Sequence, residues 1–238
     1  NNVTGFTAVT NLLEPTYGRK QESDIELRQS YIAKSALRSN TMIESIVGEL
    51  LNNIENVESA SGYENDTDYV DSRGLPPHSI EIIVEGGDNS EIAQAILRRK
   101  AGGIQTYGSI EVGVPGVYGD TIPVRFNRPD YLYTWLKVVL HGDKSQLPTN
   151  YASLTIQALI SDGAEFVAGT NLLTQLLNDG IYDAVAGLTY VEIYTAYGTS
   201  SVYVPETSDY KQKNIIVTSR QKVLIDEKRI EVSFSEDS

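Results

Sequence analysis

Cysteine is absent from this sequence, which excludes disulfide bonds and metal sites built on thiolates within the chain. Histidine occurs only twice, too rarely for a metal site made of several histidines. No apolar run approaches the ~20 residues of a membrane-spanning helix, and the polar start lacks the basic segment of a signal peptide. An initiator methionine is also missing, so we expect the sequence to be a piece of a longer protein. The lack of cysteine fits folding in a reducing cytoplasm.

Positive charge is scarce as well. The 19 Lys and Arg residues are outnumbered by 32 Asp and Glu residues, which gives a formal net charge of −13. Such a charge repels the phosphate backbone of nucleic acids and anionic membrane surfaces. It favours solubility, or a basic partner. We therefore expect no nucleic-acid partner and no membrane insertion.

The length of the chain is sufficient for one large domain or two of ordinary size. It has 238 residues, of which 40% are apolar, as in globular proteins. A chain this long buries roughly 70% of its unfolded surface and needs no disulfide or metal to be stable.

Three regions follow from the spacing of turns and apolar runs. Residues 1–23 read as the end of a preceding, missing domain plus a linker. Residues 24–128 form a first α+β domain, and residues 129–238 form a second. The boundary is Arg128-Pro129-Asp130, because proline disfavours helix at the residue before it and interrupts a strand. If the domains move relative to each other, this link is the expected hinge.

The first region shows one short strand at Phe6–Thr10, and the first domain opens with a helix from Ser23 or Asp24. The next helix has the clearest helical periodicity in the chain, with Thr41 as its expected cap. Its apolar face is Ile43, Ile46, Val47, Leu50, Leu51 and Ile54. Strands are predicted at 57–64, 79–85, 108–114 and 121–126, with an exposed acidic loop at 64–74. Gly86-Gly87 end the second of these strands, and Asp88 or Asn89 caps a further helix that Gly102-Gly103 stop.

The second domain begins with a buried strand at Tyr131–Leu140. A helix at 150–160 is expected to place Tyr151, Leu154 and Ala158 on one side. A helix at 171–184 is expected to place Leu173, Leu176, Leu177 and Ile181 on one apolar face. Strands follow at Leu188–Tyr197, Ile215–Val217, Val223–Ile225 and Arg229–Phe234, with a polar loop at 198–212. The helix–strand order of 43–63 returns at 172–194, a weak internal repeat.

This pattern predicts the α+β class. Each domain has helices packed on one face of a mixed or antiparallel sheet, and a ferredoxin-like arrangement is the specific expectation.

A search for catalytic chemistry selects no catalytic, cofactor-binding or metal-ligating residue. His78 and His141 are expected at surface or edge positions. Asp66, Asp68 and Asp71 suggest calcium, but they lack the glycine and glutamate spacing of an EF-hand loop, which favours a solvated loop. Gly86-Gly87 before a helix lack the glycine spacing that cradles phosphate, so they are interpreted as a turn and cap.

Tyrosine is abundant, with 15 residues. The second domain holds a group of four: Tyr190, Tyr194, Tyr197 and Tyr203. Tyrosine favours strands, so packing explains such a group, and it is also enriched in interfaces. Two alternatives remain open. One is a module that binds carbohydrate or a host surface through this group, and the other is an enzyme that uses His78 or His141.

Several segments, in order along the chain, resemble the baseplate J-like family. The strongest lies at 76–109, one strand–helix–turn unit. Its specific pieces are Pro77-His78-Ser79-Ile80-Glu81, Val84-Glu85-Gly86-Gly87 and Ile104-Gln105-Thr106-Tyr107-Gly108. Further similar segments are Val9-Thr10-Asn11, residues 22–28, Val124-Arg125-Phe126 with Arg128-Pro129, and residues 226–232. Ala101-Gly102-Gly103 departs from the family's usual Pro-Ala-Gly, and the family's N-terminal part is missing.

The resemblance implies a structural component of a phage-type tail baseplate. It would be a wedge subunit that acts through protein–protein contacts in contractile-tailed phages and phage-derived particles. The family brings no catalytic residue, cofactor or metal, so the chain is not expected to be an enzyme. The implied partners are other baseplate wedge and hub proteins and further copies of the chain. The implied location is the virion tail baseplate, with assembly in the host bacterial cytoplasm.

Overall fold

A computed structural model describes residues 42–236. The strand predicted at Phe6–Thr10, the helix from Ser23 or Asp24, and the Thr41 cap lie outside these residues. The helix with the clearest periodicity is confirmed as α1 (Met42–Asn53), with Ile46 and Leu50 fully buried.

The first sheet has three strands: β1 (Val57–Asn65), β2 (Ser79–Gly86) and β3 (Gln105–Tyr107). The central strand β2 pairs antiparallel with β1 and parallel with β3. Helix α2 (Asn89–Arg99) makes the crossover between the parallel strands. Its N-cap is Asp88, whose carboxylate accepts hydrogen bonds from the backbone N–H groups of Ser90 and Glu91. Helices α1 and α2 pack on one face of this sheet in a single hydrophobic cluster.

A β-hairpin follows the first sheet. Strand β4 (Ile110–Pro115) pairs antiparallel with β5 (Thr121–Phe126). The strand predicted at 108–114 is thus shifted, because Tyr107 ends β3 on the first sheet and β4 begins at Ile110. The hairpin contributes Val114, Val124 and Phe126 to the first hydrophobic cluster.

The second sheet is built on a long central strand, β6 (Asp130–Gly142). It pairs antiparallel with β7 (Leu188–Gly198) and parallel with β8 (Gln221–Glu236). Helices α3 (Tyr151–Ala164) and α4 (Thr174–Ala184) precede β7. Residues of β6 alternate, so that Leu132, Leu136, Val138 and Leu140 join a second hydrophobic cluster with both helices.

The second half of the chain, from residue 129 on, differs from the sequence predictions in several details. The fully buried side of α3 carries Thr155, Leu159 and Gly163, whereas Tyr151, Leu154 and Ala158 are half-buried. The Thr155 hydroxyl donates to the Tyr151 carbonyl (2.9 Å), so this polar side chain is buried with a partner. Gly163 is buried because Ile225 fills the space that a side chain would need: an added Cβ would lie 2.8 Å from Ile225 Cβ.

Helix α4 buries Leu177 and Ile181 as predicted, but Leu173 and Leu176 are 37% and 58% exposed. The strand predicted at Ile215–Val217 is reduced to one bridge with Leu172. The two last predicted strands form one strand, β8, in which the register shifts between Ile225 and Ile230. Residues 226–229 therefore bulge out, and the Arg229 guanidinium lies 4.9 Å from the Tyr133 ring and 5.2 Å from the Trp135 ring.

The α+β class, with helices on one face of each mixed three-stranded sheet, is confirmed. The strand order does not match a ferredoxin-like domain, which needs a β-α-β-β-α-β sequence of elements. Within residues 42–236, both sheets combine the same pieces in different chain order: a helix–strand unit, a central strand–helix unit and a parallel edge strand. The division at Arg128 stays a prediction.

Candidate functional site

The face of β2 that points away from the helices is polar and yet buried. Glu81 and Glu85 lie on this face, and their residues are 0% and 7% exposed. A sheet with helices on one face usually gives the other face to water. Burial of two carboxylates costs free energy unless each is paired and hydrogen-bonded. The cations that pair with them come from the second half of the chain.

Glu85 is paired with Lys222 at the start of β8. Its carboxylate also accepts from the Ser59 hydroxyl (2.8 Å) and the Tyr131 hydroxyl (2.9 Å). Burial raises the pKa of Glu85, but the hydrogen bond from Lys222 and those from Ser59 and Tyr131 outweigh it and hold the pKa below its ordinary value. Burial, together with the nearby Glu85 carboxylate, raises the pKa of Tyr131 to about 12. Glu85 is therefore ionised and Tyr131 neutral at pH 7.

Glu81 binds a second basic residue, Arg220. The Arg220 Nε donates to Glu81 Oε1 (2.6 Å), and the Asn127 amide donates to the same carboxylate. The hydrogen bond to Glu81 raises the pKa of Arg220. The backbone of Asn127 also continues the sheet: its N–H donates to the Ile82 carbonyl (2.8 Å), and its carbonyl accepts from the Val84 N–H (3.0 Å).

Arg128 fixes the link between the halves to the first sheet. Its guanidinium donates to the carbonyl oxygens of Val84 (3.0 Å), Gly86 and Gly87 (2.9 Å), and to Asn89 Oδ1 (2.6 Å). Gly86 and Gly87 adopt positive φ angles of 73° and 71°, the turn in which these carbonyls lie within reach of one guanidinium. The link proposed as a hinge is thus held by several hydrogen bonds.

A tyrosine of β1 makes a further contact across the halves. The Tyr63 hydroxyl lies 3.2 Å from the Ser219 carbonyl and 3.4 Å from the Ala168 carbonyl. Gly169 allows this approach, because a Cβ there would lie 2.1 Å from the hydroxyl oxygen. Burial raises the pKa of Tyr63, so the hydroxyl keeps the proton that it donates.

We call this set of contacts the seam. Its charged and amide members are Glu81, Glu85, Asn127, Arg128, Arg220 and Lys222. Each carboxylate of the seam meets a cation, and the guanidinium of Arg128 is bound by oxygen atoms. Because its polar groups bind one another, the arrangement is suited to hold the two halves in a fixed position.

The seam was missed by the sequence analysis. One signal was present: Glu81 and Glu85 share a face of an otherwise apolar strand, where solvated glutamates are the usual interpretation. Their basic partners lie 139 and 137 residues away in sequence. No local pattern identifies a partner at that distance.

The acidic loop is organised by an amide and contains no cation site. Asn65 Nδ2 donates to the carbonyls of Tyr69 (2.7 Å) and Leu75 (2.8 Å). Asp71 accepts from the backbone N–H groups of Arg73 and Leu75, both at 2.9 Å. Within residues 42–236, no group of three or more His, Cys, Asp or Glu side chains is placed to hold a metal ion.

The two histidines lie in different halves. His78 is exposed, as predicted, and its Nε2 lies 2.9 Å from Asp68 Oδ1. His141 is 8% exposed and lies on the central strand β6, so its predicted surface or edge position is wrong. It stacks on Tyr190 with ring centroids 3.8 Å apart, and its Nε2 lies 3.2 Å from Glu192 Oε2.

The four grouped tyrosines are divided between two faces of the second sheet. Tyr197 pairs with Thr134 on the helix side, whereas Tyr194 pairs with Lys137 on the opposite side. On that opposite side lies an open cavity of about 290 Å³, lined by Lys137, Val139, Tyr194, Thr207, Tyr210, Glu231 and Ser233. Lys137 Nζ lies 4.4 Å from the centroid of the Tyr210 ring and 3.2 Å from Glu231 Oε2.

No helix within residues 42–236 is long and apolar enough to cross a membrane. No protein-family model matches the chain, and no curated protein matches it. Among solved structures, the chain is similar to a chain of the cryo-EM structure of the anti-feeding prophage baseplate, 6-fold symmetrised. The two share 14% sequence identity at a TM-score of 0.40. The match covers 88% of this chain and 43% of that chain, so this chain spans less than half of its length.

Proposed function

We propose that this chain is a structural component of a phage-type tail baseplate, a wedge subunit that acts through protein–protein contacts. The proposal rests on the ordered resemblance to the baseplate J-like family. One structural observation supports it: the four similar segments between residues 77 and 129 meet in and around the seam.

Individual residues of these segments make the contacts of the seam. Glu81 and Glu85 belong to the two similar segments of β2, and both are paired across the seam. Gly86-Gly87 present carbonyls to Arg128 of the Arg-Pro segment. Tyr107, in the third similar segment, lies under Arg220, with the guanidinium carbon 5.6 Å from the ring centroid. Contacts that hold two parts of the chain together fit a protein with a mechanical role.

The proposed role is non-enzymatic. The motif carboxylates Glu81 and Glu85 are each paired with a cation, and neither is placed as a general acid or base beside a free reaction space. The two histidines lie in different halves and contact carboxylates or an aromatic ring. A His78→Ala/His141→Ala variant would keep its full capacity for assembly if it folds.

The test follows the complete protein in its source cell. A tagged form is expressed, particle production is induced, and the proteins that co-purify are identified by mass spectrometry. We expect tail, sheath and hub proteins in the same particles. Recovery of the complete protein alone, or its absence from purified particles, would contradict the proposal.

The cavity beside Tyr194 supports one alternative, a module that binds carbohydrate or a host surface. Aromatic side chains with neighbouring polar groups bind sugars through ring faces and hydrogen bonds. This alternative expects saturable binding on a glycan panel that Tyr194→Ala or Tyr210→Ala abolishes. Tyr197→Ala, on the other face of the sheet, is the matched control and should leave the binding unchanged. A panel without saturable binding would exclude the alternative.

A further inference from the structure

A long part of the second half carries charge of one sign only. From Ser145 to Tyr210 the sequence contains no Lys, Arg or His. Its charged residues are Asp162, Glu165, Asp179, Asp183, Glu192, Glu206 and Asp209. The first four lie on helices α3 and α4 or directly after α3. The helical layer therefore presents carboxylates and no cation of its own.

Apolar side chains are exposed on the same layer. Leu173 and Leu176 lie at the start of α4, and they are 37% and 58% exposed. Tyr182 of the same helix is 42% exposed, and Ile160 of α3 is 37% exposed. Exposed apolar residues surrounded by polar groups mark protein interaction sites when they occur together. On α4, the exposed side chains Leu176, Asp179, Tyr182 and Asp183 lie on the side opposite the buried Leu177 and Ile181. We call these four residues, with the exposed Glu165 directly after α3, the acidic helical face.

Among residues 42–236, the carboxylates of α3 and α4 have no ion-pair partner. Asp162 Oδ2 is buried and has no hydrogen-bond partner among residues 42–236. Burial, together with the neighbouring charges of Glu165 and Asp179, raises the pKa of Asp162 to about 6. An unpaired negative field remains for a partner to neutralise.

We propose that the acidic helical face is the docking surface for a protein partner that presents lysine or arginine side chains around an apolar contact. The negative charge of the face favours this partner, because opposite charges speed up the encounter of two proteins and like charges repel each other. It excludes nucleic acid and anionic membranes, and it disfavours a second copy, whose same face carries the same charge. The proposal deepens the assembly role proposed above, on which it rests, by naming the kind of partner.

The dimensions suit one secondary-structure element of the partner. Helices of 14 and 11 residues are about 21 and 16 Å long, and packed neighbours lie about 10 Å apart. Such a face is on the order of 400 Å², about half of what each side of a standard interface buries. The binding is therefore expected to weaken as salt screens the charges.

The test uses zero-length crosslinking of carboxylates to amines by a carbodiimide, followed by mass spectrometry. The complete protein is crosslinked in the source cell and, as a control for internal links, in purified form. We expect links from Glu165, Asp179 or Asp183 to lysines of another protein, present in the cell sample and absent from the purified one. The linked partner peptides should be basic.

A pair of variants makes the result specific. Leu176→Ser/Asp179→Lys changes two exposed side chains of the face, and Val70→Ser/Asp66→Lys makes the same changes in an exposed loop of the first half. We expect the first variant to reduce links from Glu165 and Asp183 at least tenfold and the second to leave them unchanged. Thermal unfolding checks that both variants fold.

Each outcome separates the two proposals. Links from the face to a basic protein outside any particle would support the docking surface and contradict the baseplate role. Incorporation into particles without such links would contradict the docking surface alone. Links between two copies through this face, or equal losses in both variants, would also overturn it.

Discussion

Replacing Lys222 by methionine removes the cation of a buried pair and keeps the length of the side chain. The Lys222 and Glu85 side chains are 8% and 7% exposed, so the variant leaves Glu85 buried without its counter-charge. Removing one partner of a buried pair costs about 3–5 kcal/mol, because the other charge stays in a medium of low dielectric constant. Ser59 and Tyr131 still donate to the carboxylate, which places the expected loss at pH 7 near the lower limit, ~3 kcal/mol.

The loss should depend on pH with a definite sign. In the unchanged protein the pKa of Glu85 is lowered in the folded state, so its contribution to stability is present above the unfolded pKa and is lost as the pH falls through the folded pKa. In the Lys222→Met variant burial dominates, and the folded pKa of Glu85 rises above the unfolded value. Lowering the pH then protonates the buried carboxylate and relieves the penalty. The difference in unfolding free energy between the two proteins should shrink from pH 7 to pH 4.5.

The assay is urea unfolding at several pH values, with the free energy of unfolding compared between the two proteins. Arg125→Met is the matched control, because Arg125 pairs with Glu111 at 2.6 Å but both side chains are about half exposed (51% and 52%). An exposed pair contributes about 0–1 kcal/mol. If Lys222→Met costs no more than Arg125→Met, or if its cost grows as the pH falls, the account of the seam is wrong.

Three further predictions concern stability and are measured by the same unfolding assay. Asp162→Asn should stabilise the protein by ~1–2 kcal/mol at pH 7, because the raised pKa of about 6 makes the ionised carboxylate unfavourable in the folded protein. The gain should vanish near pH 4, and an unchanged stability at pH 7 would refute this. Arg128→Lys should cost about 1–3 kcal/mol, since one ammonium group does not reproduce the guanidinium contacts to three carbonyls and Asn89; a neutral effect would show that the link is not held there. Leu177→Ala should cost about 2–5 kcal/mol and Leu176→Ala less than ~0.5 kcal/mol, because the first is 1% exposed and the second 58%; equal costs would contradict the assignment of faces on α4.

Periodicity predicted most of the elements, because local patterns decide them. The alternation in β6 and the 3.6-residue period of α1 are each readable within about a dozen residues. The faces of α3 and α4 were less readable, since Leu154, Leu173 and Leu176 offer apolar positions that the second sheet does not use. Only the direction of packing, set by β6 and β8, decides which apolar positions are covered.

Contacts distant in sequence were beyond the reach of the same analysis. The bulge at 226–229 was interpreted as a gap between two strands, because Asp226, Glu227 and Lys228 interrupt the alternation. The seam depends on Arg220 and Lys222 meeting a strand that lies well over a hundred residues earlier. Residues 220–222 lie outside the segments that carry the resemblance, so only the structure shows their contact with Glu81 and Glu85.

The polar character of the seam has a consequence for synthesis on the ribosome. Tyr107 is the last residue of the first sheet and Phe126 is the last residue of the hairpin. Arg220 and Lys222 are translated about a hundred residues later. At a translation rate of about 5–20 residues per second, several seconds pass between the synthesis of the first half and that of Arg220 and Lys222. During that interval Glu81 and Glu85 lack their cations, and these two carboxylates make the open face less attractive to other nascent chains than a wholly apolar face would be.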